Sequence, residues 1–140
     1  YVVFNTFFAL TSQEMQVRCF RNVAKHLANT GAFVIEAFVP DLTRFTKGQT
    51  IRPMRITTDR LELDVGELDP LTQKVVSQKV VMTDGHVRLY PVQIRYAWPS
   101  ELDLMAQLAG LRLRERYSSW QREPFTADSQ KHISVYEWDA

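Results

Sequence analysis

Residues 1–16 read YVVFNTFFALTSQEMQ, an apolar run that passes into a helix start without a polar lead-in. Val2, Val3, Phe4, Phe7 and Phe8 are β-branched or aromatic and nearly continuous, the pattern of a strand covered on both faces. The strand is expected over residues 1–4, with Asn5 and Thr6 turning the chain out of the sheet. Thr11-Ser12-Gln13-Glu14 then reads as a capping box, the Thr11 hydroxyl on an early backbone N–H and Glu14 reaching back to the Thr11 amide. In the helix that follows, Met15, Cys19, Val23 and Leu27, with Phe20 and Ala24 beside them, recur every three or four residues and make one apolar stripe. Arg18, Arg21 and Lys25 face outward. Residues 29–31 are expected to stop the helix, with Gly31 as a left-handed cap.

Working outward, AFVIEAF (residues 32–38) is a second continuous apolar strand, broken only by Glu36. Strand, helix, strand with short joints is a βαβ unit over residues 1–45, which requires parallel strands and a right-handed crossover. The texture then changes. Between residues 52 and 97, β-rich runs at 54–58, 61–65, 73–82 and 87–96 are separated by turn signals, with Asp84-Gly85 a strong hairpin signal and Asp69-Pro70 another turn. This is an antiparallel meander inserted into the parallel unit. In the last segment, residues 98–140, Pro99-Ser100-Glu101 opens a second helix, with Leu102, Met105, Leu108 and Ala109 on its buried side and Gly110 closing it. Residues 111–117 and 132–138 supply two final strands.

The 140 residues are 45% hydrophobic and 24% charged, enough for one compact domain with a core. Lys plus Arg number 17 against 16 Asp plus Glu, and the basic residues are scattered, so neither nucleic acid nor membrane is an expected partner. The single thiol, Cys19, cannot form an internal disulfide and falls on the helix stripe, which suits a reducing, cytoplasmic setting. No stretch reaches the roughly 20 apolar residues of a membrane span, and residues 1–10 lack the basic front end of a signal peptide. The absence of an initiating Met points to a fragment.

His26, His86 and His132 are far apart and no CxxC or HxxxH occurs, so no metal site is expected. No GxSxG is present either. The five glycines, at 31, 48, 66, 85 and 110, form no GxG pair, so the chain carries no glycine-rich nucleotide loop. What remains are groups at strand ends, where open parallel sheets place ligands: Asn5 and Thr6 after the first strand, and Glu36, Phe38 and Asp41 at or after the second. Each also has a structural reading, Asn5 as a turn cap and Glu36 as the partner of an arginine in the sheet layer. Arg95 either grips a substrate carboxylate or phosphate through its fork or neutralises Glu36 or Glu101. Tyr90, Trp98 and Trp120 line a pocket or belong to the core, and aromatics in a β-rich layer favour the core.

Taken in order, VVFNTFFAL, TSQEMQVRCFRNVAKHLANTGAFVIEAFVPDL, the meander, YPVQIRYAWPSELDLMAQLAGLRLRERYSSW and KHISVYEW resemble the C-terminal half of a class I S-adenosylmethionine-dependent methyltransferase. The branch is similar to the small-molecule type that includes amino-sugar N-methyltransferases, and the likeness covers essentially the whole chain. It implies an α/β fold, the C-terminal part of a Rossmann-like sheet, with residues 1–4 and 32–38 as the family's fourth and fifth strands. Residues 111–117 and 132–138 become its sixth and seventh, the seventh antiparallel, so that the order runs 4, 5, 7, 6. The cofactor half with its glycine-rich loop would lie before Tyr1.

The resemblance also implies site roles. Phe4, Asn5 and Thr6 would flank the methionine and sulfonium of S-adenosylmethionine. Glu36 would be the carboxylate near an acceptor amine, and Phe38 would face the acceptor. The meander would be a substrate cap or a subunit contact, bringing Tyr90, Arg95 and Tyr96 over the pocket. The alternative function is a non-catalytic dimerisation or binding module on a truncated methyltransferase fold. An opening strand without its neighbour exposes a row of backbone N–H and C=O groups. A second copy or the N-terminal half is expected to cover that edge, making a homo-oligomer or a paired assembly.

Overall fold

The computed structural model describes residues 1–139. The chain divides into two compact units, one made of residues 1–41 together with the segment from Ala97 onward, the other of Leu42–Tyr96.

The first unit is built on a three-stranded antiparallel sheet of β1 (Phe33–Phe38), β7 (Lys131–Trp138) and β6 (Leu111–Tyr117), in that order. Val2 lies on the open side of β1 in a parallel bridge with Ile35, its N–H donating to Val34 O at 2.9 Å and its O accepting from Glu36 N at 3.0 Å. Across the sheet the order is therefore Val2, β1, β7, β6, the expected 4, 5, 7, 6. The opening strand itself is reduced to that single bridge. Phe4 and Asn5 both adopt positive φ, 56° and 60°, which swings the chain out of the sheet into a 3-10 turn, Thr6–Ala9.

Helix α1 (Gln13–His26) is capped one residue later than the sequence suggests: the Ser12 Oγ accepts from Met15 N at 3.1 Å, so the expected Thr11 box is replaced by a Ser12 cap. The buried stripe also shifts by one position. Gln16, Phe20 and Ala24 are buried, whereas Met15, Cys19, Val23 and Leu27 are half-buried. Phe20 meets Phe7, Phe33 and Tyr136 edge to face at ring separations of 5.6, 5.3 and 5.5 Å, tying the 3-10 turn, β1 and β7 to the helix. Gly31 is not a left-handed cap, because positive φ among the glycines belongs to Gly48, Gly85 and Gly110. It is small for a different reason: a Cβ there would stand 3.0 Å from Ala28 O and from Leu27 Cδ1. Helix α2 (Pro99–Gln107) opens on Pro99 as expected and is closed by Gly110 at φ 77°, but Leu108 points to solvent, and Ala106 takes the buried place with Leu102 and Met105.

The sheet face that carries Phe33, Ile35 and Ala37 also carries Tyr136, Ser134 and His132, directly opposed across β1 and β7. A polar seam runs through it. Arg116 donates from Nε to Ser134 Oγ at 2.8 Å and from Nη1 to Asp103 Oδ2 at 3.2 Å, and Tyr136 OH donates to Asp103 Oδ1 at 2.9 Å. His132 Nδ1 lies 2.8 Å from Ser134 Oγ. The buried Nε2 has no hydrogen-bond partner.

Burial, reinforced by the Arg116 cation and opposed by Asp103, lowers the His132 pKa from 6.5 to about 4. The folded protein thus keeps His132 neutral while the unfolded chain takes up a proton. Stability is full above pH 6.5 and falls as the pH drops toward 4. The shift corresponds to a loss of about 3 kcal/mol. Urea unfolding at pH 7.5, 5.5 and 4.5 checks this, and His132→Leu is expected to flatten that part of the profile.

The second unit is a four-stranded antiparallel meander, β2 (Gln49–Ile56), β3 (Arg60–Asp69), β4 (Lys74–Thr83) and β5 (His86–Arg95), paired in chain order. β2 and β3 run longer than the sequence runs suggest and β2 begins earlier, while β4 and β5 keep the expected length, each shifted by one residue. Asp84 and Gly85 have φ of 47° and 76°, the two left-handed residues that an Asp-Gly hairpin needs, and Thr83 pairs with His86. Directly opposed residues share a face, so Ile51 with Val65, Leu63 with Val80 and Leu89, and Leu61 with Met82 and Val87 form one apolar face. The other face carries ion pairs, Arg52–Asp64 at 3.1 Å and Lys79–Glu62 at 2.9 Å.

Candidate functional site

Alternation along β1 puts Glu36 on the face opposite Phe33 and Ile35, beside Val34 and Phe38, with Ile133 and Lys131 as the residues opposite Glu36 and Phe38 on β7. A carboxylate there must be satisfied, and it is. Oε2 accepts from the Phe4 backbone N–H at 3.2 Å; Oε1 accepts from the Trp120 indole at 3.1 Å and from Lys131 Nζ at 3.4 Å. Burial pushes against ionisation, but the Phe4 N–H, the Trp120 and Lys131 hydrogen bonds and the Lys131 charge together hold Glu36 below the usual carboxylate range. The cation beside it is thus a lysine from β7, where the sequence reading had an arginine.

The same carboxylate stitches the strained turn. A bulky residue at positive φ is an outlier, and Phe4 is held there by Glu36, while Asn5 N donates to Glu36 O at 3.3 Å and Asn5 Oδ1 accepts from Phe38 N at 2.7 Å. Two effects at Asn5 can be separated. Asn5→Gly keeps the left-handed backbone and loses the carboxamide bond, an expected cost of about 1 kcal/mol, while Asn5→Ala adds backbone strain for about 2 kcal/mol in all. Urea unfolding of the two variants measures the difference.

Around this hub lies a cleft of about 520 Å³ lined by Phe4, Asn5, Glu36, Phe38, Gln130 and Lys131, among others. Four residues singled out from the sequence, Phe4, Asn5, Glu36 and Phe38, therefore meet in one space. Thr6 starts the 3-10 turn, its N–H donating to Val3 O at 3.2 Å. Tyr90, Arg95 and Tyr96 belong to the second unit: Tyr90 stands opposite Lys79 in the middle of β5, and Arg95 and Tyr96 are buried, Arg95 donating to Gln73 Oε1 at 3.2 Å. Lys131 and Gln130 were not singled out from the sequence, because their proximity depends on the pairing of Phe38 with Lys131. Trp120 donates its indole N–H to Glu36 and is half exposed, so it is not a core residue.

No helix among the described residues is long and apolar enough to cross a membrane. No family-level sequence profile matches the chain. Among curated proteins it is 28% identical over 134 residues to a cypemycin N-terminal methyltransferase from a Streptomyces species, a match that takes in 95% of this chain and 55% of that protein. Among solved structures it superposes on the CcbJ methyltransferase from Streptomyces caelestis with a TM-score of 0.92 and 37% identity, covering 99% of this chain and 57% of that one. An S-adenosylmethionine-dependent methyltransferase from Clostridium acetobutylicum ATCC 824 superposes with a TM-score of 0.81 over 99% of this chain and 56% of its own; at 8% identity this is a likeness of fold alone. The chain spans about half the length of the proteins it matches. Together with the sheet order, these likenesses give the chain the fold of the C-terminal half of a class I methyltransferase.

Proposed function

From the premise that this chain has the fold of a C-terminal methyltransferase half, we propose that it supplies the acceptor side of an S-adenosylmethionine-dependent enzyme that methylates an amine on a small molecule. The observation that carries the proposal is the cleft around Glu36, at the end of β1, where open α/β sheets hold their ligands. An amine is favoured because the curated relative is, by its name, a methyltransferase of an N-terminus. The glycine-rich loop for the cofactor would come from sequence outside these 140 residues.

Bound S-adenosylmethionine supplies a methyl group on a positively charged sulphur. The residues present suit such a cation: Glu36 is ionised, the Phe4 ring is 83% exposed, and Asn5 fixes the turn that carries that ring. In this proposal Phe4, Asn5 and Thr6 flank the sulfonium, while Glu36 and Phe38 face the acceptor. A carboxylate held below its usual range is a poor proton acceptor at neutral pH. Glu36 would therefore act as a counter-charge beside the acceptor nitrogen and not as its base, and the acceptor would have to arrive with its lone pair free. Most of the rate then comes from positioning the acceptor and excluding water.

Incubating the longest product of the source gene with isotopically labelled S-adenosylmethionine and paired amine and alcohol acceptors tests the assignment. Label on the amines, reduced in Glu36→Gln, is the expected result. Label on the alcohols alone would contradict it.

A second reading, a non-catalytic dimerisation module, is favoured by the apolar face of the meander. Ile51 is 69%, Val87 59% and Leu89 58% exposed, and contiguous apolar faces mark interaction surfaces. The homo-oligomer belongs to this part of the proposal. Light scattering is expected to report a dimer that Leu89→Lys dissociates; a monomer at all concentrations would remove the module reading.

A further inference from the structure

Lys131 reaches the Glu36 cleft from β7, on the side of β1 away from the opening strand, since the order across the sheet is Val2, β1, β7, β6. Its Nζ donates to Glu36 Oε1 at 3.4 Å. The Trp120 indole at 3.1 Å and the Phe4 N–H at 3.2 Å are shorter bonds from uncharged donors, one on each carboxylate oxygen. Glu36 therefore has a hydrogen bond on both oxygens without the lysine. An ion pair whose lysine side chain is 49% exposed also adds little to stability, so holding the fold leaves the charge of Lys131 largely unused.

That charge matters to an amine. A carboxylate within about 4–6 Å of an ionisable base favours the charged form by about 1–3 pKa units, and an ammonium has no lone pair with which to take a methyl group. Glu36 alone would hold an acceptor in the wrong protonation state. Paired with Lys131 it presents no net charge, and the amine sheds its proton to water on entering at little cost. Among the described residues lining the cleft, Glu36 from β1 and Lys131 from β7 are the charged pair; the opening turn adds Phe4 and Asn5 and the residue after β6 is Ser118, none of which titrates. The Tyr1 phenol lines the adjoining cleft, on the other side of Glu36. We propose that Lys131, by pairing with Glu36, keeps the bound acceptor amine unprotonated. It is a positioning residue that acts through the carboxylate, and the inference rests on the proposed function for its substrate.

The test is a pH profile measured on the longest product of the source gene, with labelled S-adenosylmethionine and the amine that takes the label in the paired-acceptor experiment. In Lys131→Met the rising limb of kcat is expected about one pH unit higher, the lower end of the range because the Lys131 side chain is half exposed. On that limb kcat and KM each fall about tenfold while kcat/KM holds, the mark of an unreactive ammonium bound more tightly. Lys131→Arg, which keeps the charge, is expected to restore the parent limb. A lysine that only stiffens the fold would change stability and leave the limb in place. An unmoved limb in Lys131→Met, or one that moves equally in Lys131→Arg, overturns the inference and leaves the methyltransferase reading standing. No label on any amine with the parent protein overturns that reading, and the inference with it.

Discussion

Phe20→Ala is expected to destabilise the first unit by about 3–5 kcal/mol, the range for emptying a large aromatic site in a core. Phe20 is fully buried and meets three other rings edge to face, Phe7 from the 3-10 turn, Phe33 from β1 and Tyr136 from β7. The loss therefore includes pairwise ring terms of about 0.5–1.5 kcal/mol each, beyond the area removed from water. Collapse around the cavity is limited, because Phe33 and Tyr136 are held by the β1–β7 ladder. Phe20→Leu, which keeps most of the volume, is expected to recover more than half of the loss. Chemical unfolding monitored by circular dichroism measures both, and equal stability of Phe20→Ala and the parent chain would mean that α1 is not seated by this residue.

Arg116→Met is expected to cost about 3 kcal/mol. The guanidinium is the hub of the seam, bonded to Asp103 on α2 and to Ser134 on β7, and its removal leaves the Asp103 carboxylate with the Tyr136 hydroxyl as its remaining described partner in the seam. Losing one member of a buried pair costs about 3–5 kcal/mol, and the lower end applies because the Asp103 side chain keeps 25% of its exposure. The double change Arg116→Met with Asp103→Leu is expected to be more stable than Arg116→Met alone, since no uncompensated charge remains. The same change lifts one cation away from His132. The His132 pKa then rises toward its ordinary value and the acid loss of stability is smaller, a readout that a packing defect alone would not move.

The meander was the most legible part of the sequence. Alternating β-rich runs and the Asp84-Gly85 pair carry their geometry locally, because the hairpin needs two left-handed residues and those two provide them. The opening was less legible. A run such as Val2, Val3, Phe4 reads as a strand, yet the backbone at Phe4 is set by a carboxylate 32 positions later in the chain. No local pattern encodes that. The α1 stripe was misplaced by one position for a similar reason: Gln16 is polar by type but buried, its Nε2 donating to Leu10 O at 3.1 Å, so hydrophobicity alone pointed to Met15 instead.

For the site, strand ends pointed to Asn5, Thr6, Glu36, Phe38 and Asp41 and the family resemblance added Phe4; of these, Phe4, Asn5, Glu36 and Phe38 line one cleft. The partners of Glu36 were not readable. Trp120 and Lys131 lie 84 and 95 positions away from it in the chain, brought near by the antiparallel insertion of β7 between β1 and β6. Glycine counting told something different again. The five glycines serve turns, a close helix-end approach and, at Gly66, a close approach to the neighbouring strands at Thr50 and Ser77, and no two of them form a GxG pair.

The most direct test of the central claim is a calorimetric titration with S-adenosylhomocysteine, made on the 140-residue chain and on the longest product of its source gene. Binding by the longer protein and none by the 140 residues is the predicted result, because the acceptor side holds no glycine-rich loop. Tight binding by the 140 residues alone, or silence from both, would contradict the assignment of this chain as the acceptor half of a methyltransferase.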